Sequence, residues 1–373
     1  APTVPAGFFG VAVHEPTWEA RDTAAEFRRM RTDGVEAVSA AVYWNAMQPY
    51  PDAAAVPEDQ VDEFTLVDGI PTSFAASDRL YEHAARRGMT VLPVVVGAPT
   101  WQRVDARSLW SPPADPEAYG RFVGLLVKRY GAGGTFWASH PKLPRVPTRD
   151  WQIWNEPTGW DGPLTPSVFW DAPKPYQERY VAMLRAAHTA IHAQDPRGRA
   201  LLGGILGVSW DTIEDLYAAG AGPYFDGAAI HVYTQQAENV LNSLKYARAV
   251  LDKHGDRAKP LVLTEFGWPS ALNKVVQKNR YGFETNEGGQ AYRLEQAFQL
   301  LVKNRASLRL TQIFWFAWAT FDAGDQYVFD YAGLRRVKPN GTVVTKPAET
   351  RYRSFARRYE GCQRKVRPAR CRI

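Results

Sequence analysis

Two glutamates stand where a carboxyl group can do chemistry. The stretch Asp150-Trp151-Gln152-Ile153-Trp154-Asn155-Glu156-Pro157 alternates apolar and polar residues as a short strand does, and Pro157 ends it because proline has no N–H for the ladder. A second run, Pro260-Leu261-Val262-Leu263-Thr264-Glu265-Phe266-Gly267-Trp268, repeats the arrangement, delivering Glu265 ahead of turn residues. Two carboxyl groups at two strand ends are the minimum equipment for breaking a glycosidic bond with retention. One protonates the leaving oxygen and the other attacks the anomeric carbon, which requires the two groups about 5–5.5 Å apart. Taken singly, each glutamate reads as an exposed or ion-paired residue. Catalysis becomes the better reading only for the pair, with Asn155 before one and Gly267-Trp268 after the other. His231 and Tyr233 end a third apolar run two residues apart, and so share a strand face. The Tyr233 hydroxyl can donate to Glu265, and His231 can hydrogen-bond a sugar or a carboxylate.

The elements that must position these residues alternate along the chain. Strands are expected at Phe8–His14, Val35–Trp44, Thr90–Gly97, the Glu156 run, Ala200–Gly207, Gly227–Tyr233, the Glu265 run and Leu310–Trp318. Helical patterns fall between them, at about 23–32, 75–87, 116–130, 176–193, 211–219, 239–254 and 290–304, with a closing helix at 347–359. The continuous apolar composition of Thr90–Gly97 suits a parallel strand buried on both faces. About eight strand-then-helix units point to an α/β fold closed as a (β/α)8 TIM barrel, whose strand ends carry catalytic side chains. Residues 45–73 read as the longest irregular stretch and are expected to wall the cleft. The domain reading is a catalytic barrel over 1–355 and a basic tail over 356–373.

Asn155-Glu156-Pro157, His231-Val232-Tyr233 and Thr264-Glu265-Phe266-Gly267-Trp268 together resemble the signature of clan A glycoside hydrolases, and among them the family 39 and family 5 type. Those are retaining enzymes on a TIM barrel, and the likeness runs from about Gly7 to Phe355. The resemblance implies Glu156 as acid/base, Glu265 as nucleophile and Asn155 as the partner of the sugar's 2-hydroxyl. It also implies an aromatic platform from strand eight, for which Trp318 is the candidate and Trp315 the competitor. Trp44, Trp101 and Trp160 are further candidate sugar contacts at loop exits. One departure is that neither 42–44 nor 96–97 supplies the arginine that some relatives place beside the nucleophile. Asn45, Tyr43 or Glu15 would have to serve, and Glu15 is also the rival carboxylate. His14-Glu15 is not followed by a zincin pattern, so no metal and no cofactor are expected.

Composition limits the remaining classes. The chain of 373 residues is 45% hydrophobic, with 13 Trp, enough for a large core plus aromatic surfaces on which sugar rings stack. The net charge of +6 is concentrated at one end: residues 351–372 hold nine basic residues against one acid, while the remainder carries 36 basic and 38 acidic. A body this near neutral gives no reason for a nucleic-acid partner. The tail reads as a solvated helix face, with contact to anionic surfaces as the alternative. Cys362 and Cys371, the only two cysteines, suit a disulfide in an oxidising compartment. No apolar run reaches the roughly 18 residues of a membrane span, and the first residues resemble a mature N-terminus, so a secreted protein is expected. The carbohydrate reading is therefore hydrolysis of an O-glycosidic bond, expected to be β-linked, in a polysaccharide, oligosaccharide or glycoconjugate. The alternatives are transglycosylation at the same site and a carbohydrate-binding barrel without activity.

Overall fold

A computed structural model describes residues 4–157, 169–171 and 175–359. Eight strands form a closed parallel barrel: β1 (Phe9–Ala12), β2 (Ala37–Tyr43), β3 (Thr90–Val96), β4 (Asp150–Ile153), β5 (Arg199–Ile205), β6 (Gly227–Val232), β7 (Leu261–Phe266) and β8 (Leu310–Trp315). Each pairs with its neighbours in sequence, and β1 closes the ring on β8 through Phe9↔Ile313, Gly10↔Phe314 and Val11↔Trp315. The outer helices are α1 (Thr23–Thr32), α2 (Ala75–Ala85), α3 (Pro116–Tyr130), α4 (Gln177–Gln194), α5 (Ser209–Ala218), α6 (Ala237–Lys253), α7 (Glu287–Leu308) and α8 (Pro347–Tyr359). The expected (β/α)8 TIM barrel is therefore what the chain forms. Helix α8 continues past residue 355, and 360–373, with Cys362 and Cys371, lie outside the described residues.

Local chemistry explains the helix starts. Asp22 caps α1 by accepting from Ala25 N at 2.8 Å, and Asp115 caps α3 ahead of Pro116, whose missing N–H costs nothing in a first turn. Inside the barrel, Ala37, Leu92, Leu201, Ala229, Val262 and Phe314 make one small cluster drawn from six strands. Gly10 leaves the room that Phe314 fills: a Cβ on Gly10 would lie 2.4 Å from that ring. The larger core lies between strands and helices, where burial of apolar area supplies most of the driving force.

Residues 45–73 depart from the expected irregular loop. They hold the short helix Trp44–Met47 and a hairpin, Thr65–Val67 against Ile70–Thr72. Asp68 (φ 51°) and Gly69 (φ 82°) make its two-residue turn, a sequence pair that signals such hairpins. A second small sheet, Ala319–Thr320 with Arg335–Val337 and Val343–Thr345, covers the chain between β8 and α8. Among the described residues, no helix is long and apolar enough to cross a membrane.

Candidate active site

Glu156 leaves β4 through a strained turn. Trp154 (φ 68°) and Glu156 (φ 43°) both adopt left-handed conformations that cost a non-glycine residue roughly 1–3 kcal/mol each. The turn is held from both sides, by Trp154 N donating to Val95 O (3.1 Å) and Glu156 N donating to Gly203 O (2.9 Å). Glu265 reaches the same place by a different device. From Ala228↔Leu261 to Ile230↔Leu263 the β6–β7 register is regular, but the next pair is His231↔Glu265, so β7 carries one extra residue. That bulge turns Glu265 toward the face shared by Ala229, His231 and Tyr233.

The four side chains meet. Tyr233 Oη donates to Glu265 Oε2 at 2.8 Å. His231 Nδ1 lies 2.8 Å from Glu156 Oε1 and 3.5 Å from Glu265 Oε2. Donor atoms of Glu156, His231 and Glu265 all fall within 4.8 Å of one another. Burial raises the Glu156 carboxyl to about 8. Glu265 is also raised, by burial and by the charge of Glu156, while His231 and the Tyr233 hydrogen bond oppose that rise. Burial lowers His231, and the charge of Glu265 opposes that. The surroundings thus differ: burial acts on both carboxyl groups, and His231 and Tyr233 favour the ionised form of Glu265. Two carboxylates and an imidazole are also metal-ligand types; here the imidazole lies against both carboxylates and Glu265 also accepts from Tyr233.

The other expected contacts divide. Asn155 is buried beside Glu156, its Oδ1 accepting from Gln152 Nε2 at 3.2 Å. Trp101 is half-buried and donates to Gln48 O at 3.1 Å, bracing the loop above β3. Trp318 is fully buried, with its indole donating to Glu26 Oε2 of α1 at 2.9 Å, so its ring face is closed to a sugar. Trp315, its competitor, is equally buried and donates to Ala332 O. The platform expectation is corrected: both rings are buried, and between them the half-buried Phe316 stacks on His14 (5.4 Å) and sits edge-on to Tyr233 (6.4 Å). Trp44 is likewise corrected, since it is 1% exposed, stacked on Phe122 and bonded to Gln48. His231, for which a sugar or a carboxylate was the expected partner, is fully buried with its Nδ1 against the two carboxylates. Trp160 lies outside the described residues. The rival Glu15 is exposed at the end of β1 and acts electrostatically on Tyr43, apart from the pair.

Sequence reading missed Phe283, Phe329 and Tyr327. Phe283 and Phe329 pack on Tyr233 at 5.6 and 4.7 Å, and Tyr327 on Phe329 at 5.2 Å. Burial first, then Tyr281 and the two glutamates, push the Tyr327 phenol upward, which puts its hydroxyl within electrostatic reach of the pair. These aromatics come from loops after β7 and β8 that carry no periodic signal. A cavity of about 500 Å³ lined by Arg199, Pro260, Arg309 and Leu310 opens at the strand starts, the barrel end opposite the glutamates.

No family model matches the sequence, and no curated protein does. Solved structures do. A family 39 glycoside hydrolase from the gut symbiont Bacteroides cellulosilyticus is 17% identical with a TM-score of 0.65, over 95% of this chain and 64% of that one. A monomeric beta-xylosidase from Caulobacter crescentus is 16% identical with a TM-score of 0.61, covering 95% of this chain and 68% of that one. The GH53 catalytic domain of Ignisphaera aggregans is 18% identical with a TM-score of 0.59, covering 95% and 98%. The chain therefore spans just under two thirds of the first of these proteins. At such identities the likeness is one of fold, a TIM barrel shared with glycoside hydrolases over nearly all of this chain.

Proposed function

We propose that the protein is a retaining glycoside hydrolase that cleaves a β-linked O-glycosidic bond through a covalent glycosyl-enzyme. The observation that carries this reading is the Glu156–Glu265 pair at the strand ends, with donor atoms within 4.8 Å and Tyr233 hydrogen-bonded to Glu265 alone of the two. That spacing leaves no room for a water between carboxylate and sugar, as an inverting pair needs, and suits direct attack. Glu265, held ionised by Tyr233, attacks the anomeric carbon while Glu156 gives its proton to the leaving oxygen. Glu156 then takes a proton from the water that releases the sugar. Because similar folds belong to a beta-xylosidase and a family 39 enzyme, β-linked pentosides and hexosides are the first substrates to try. Secretion and a Cys362–Cys371 disulfide belong to the same proposal, supported by the cysteine usage. Thiol labelling of the denatured, unreduced protein tests it, and two free thiols would refute it.

The deciding experiment is turnover of a panel of aryl β-glycosides and plant and microbial polysaccharides by wild type and by Glu265→Ala with azide. Removing a nucleophile opens space for a small anion, so the variant is expected to be inactive alone and to yield a glycosyl azide of inverted configuration when azide is added. Near-normal turnover by Glu265→Ala would overturn the assignment and make Glu15 the next carboxylate to test.

A further inference from the structure

We propose that His188, His192 and Asp226 form a structural binding site for one divalent transition-metal ion, zinc foremost, at the barrel end opposite the glutamate pair. His188 and His192 stand four residues apart on α4 and so share one helix face, their ring centroids 4.2 Å apart. Both Nε2 atoms converge on a single carboxylate, His188 at 3.6 Å from Asp226 Oδ1 and His192 at 3.1 Å from Oδ2. The three donor atoms all lie within 4.8 Å of one another. A tetrahedral zinc with bonds of about 2.0–2.1 Å keeps its donors roughly 3.3 Å apart, between the two separations observed here. An ion can therefore enter with small side-chain shifts. A simple ion pair with Asp226 needs one imidazole, whereas here two are aimed at it.

The surroundings favour a fixed site open to loading. Asp226 immediately precedes β6 and is anchored by accepting from Ala200 N at 2.8 Å, so its carboxylate does not swing freely. The side chains remain 23%, 33% and 25% exposed, enough for an ion to arrive and retain a water as its fourth ligand. Two imidazoles with one carboxylate suit zinc, nickel or copper rather than calcium or magnesium, which take oxygen donors. The bound ion would tie the last turns of α4 to the starts of β5 and β6, a cross-link far from the chemistry.

The test is zinc titration by calorimetry of protein first stripped with a chelator, followed by melting curves. Wild type should take up one equivalent at micromolar zinc and gain several degrees in Tm, since an ion that binds only the folded state stabilises it. The double substitution His188→Ala/His192→Ala should lose that equivalent and that gain while keeping the metal-free Tm. His192→Gln, a milder change, should weaken binding at least tenfold and serves if the double variant does not fold. Cobalt(II) substitution should give the intense visible bands of a four-coordinate nitrogen and oxygen field in wild type only. Absence of uptake by wild type, or equal uptake by the substituted protein, would overturn the proposal. The second result would place the ion elsewhere, for instance at the glutamate pair.

Discussion

Glu156 and Glu265 begin with the same intrinsic acidity, and their neighbours separate them. Burial raises Glu156, while for Glu265 the His231 imidazole and the Tyr233 hydroxyl work against the burial that raises it. Activity should therefore follow a bell in pH: kcat/KM falls above about 8 as Glu156 loses its proton, and falls on the acid side as Glu265 gains one. A pH–rate profile of wild type checks both limbs, and an alkaline limb that persists unchanged in residual Glu156→Gln activity would reassign the acid. The same group makes a stability prediction. Its carboxyl titrates near 4.5 when unfolded and about 8 when folded, so between those values the folded chain holds a proton that the unfolded chain has lost. Its contribution to stability is greatest below 4.5 and declines as pH rises to about 8. Glu156→Gln should accordingly raise Tm at about pH 8 and change it little at about pH 5, read by paired thermal melts. Tyr233→Phe removes a hydrogen bond to a charged oxygen, worth about 1.5–3 kcal/mol, and should lower kcat/KM by about 10- to 150-fold with the fold intact. The carboxyl pair and Tyr233 were legible in the sequence because strand-end positions carry residue types that packing alone does not demand. The tryptophans were not, because after Trp315 the chain leaves the ladder and alternation stops deciding which ring faces inward. Trp318 went to Glu26, and Phe316 is the ring that reaches Tyr233.

At the level of elements, both strands flanking β6 are irregular. In β5 the register passes from Leu202↔Ala228 to Ile205↔Ile230, and the extra residue falls in Gly203-Gly204. In β7 the shift falls just before Glu265. Gly204 has φ +51°, and a Cβ there would lie 2.4 Å from His231 Nε2. Gly204→Ala should therefore push His231 off Glu156, cutting kcat by about tenfold or more while binding of an inhibitory sugar changes less. Inhibition and turnover measured on the same preparation separate these effects, and unchanged kcat would show that His231 has room to move. Strand and helix positions were readable because periodicity is a local property. A bulge is not, since it exists only as a mismatch between two strands whose pairing must first be known. The Asp68-Gly69 hairpin was readable by turn chemistry, yet it sat within a stretch whose composition looked like loop.

Across the whole molecule, the join between first and last units is fastened by charge as well as by strands. Arg335 lies 2.9 Å from Glu26 on α1 and 2.7 Å from Glu349 on α8, both carboxylates buried. Arg335→Ala leaves them without that partner and should cost about 3–5 kcal/mol in denaturant unfolding; a loss below about 1 kcal/mol would mean the network relaxes around the gap. The overall ring was foreseeable from the count of alternating units, but this fastening was not, because its members are far apart in sequence. The closure of β1 on β8 also governs how the chain must be made. Just over three hundred residues separate Gly10 from its partner Phe314, so during synthesis the first strand leaves the ribosome long before its neighbour exists. Until then one flank of the growing sheet is an unpaired edge, open to another nascent chain. Crowded polysomes are thus the setting in which this protein is most exposed to misassembly, and a holding chaperone that covers β1 should raise its yield.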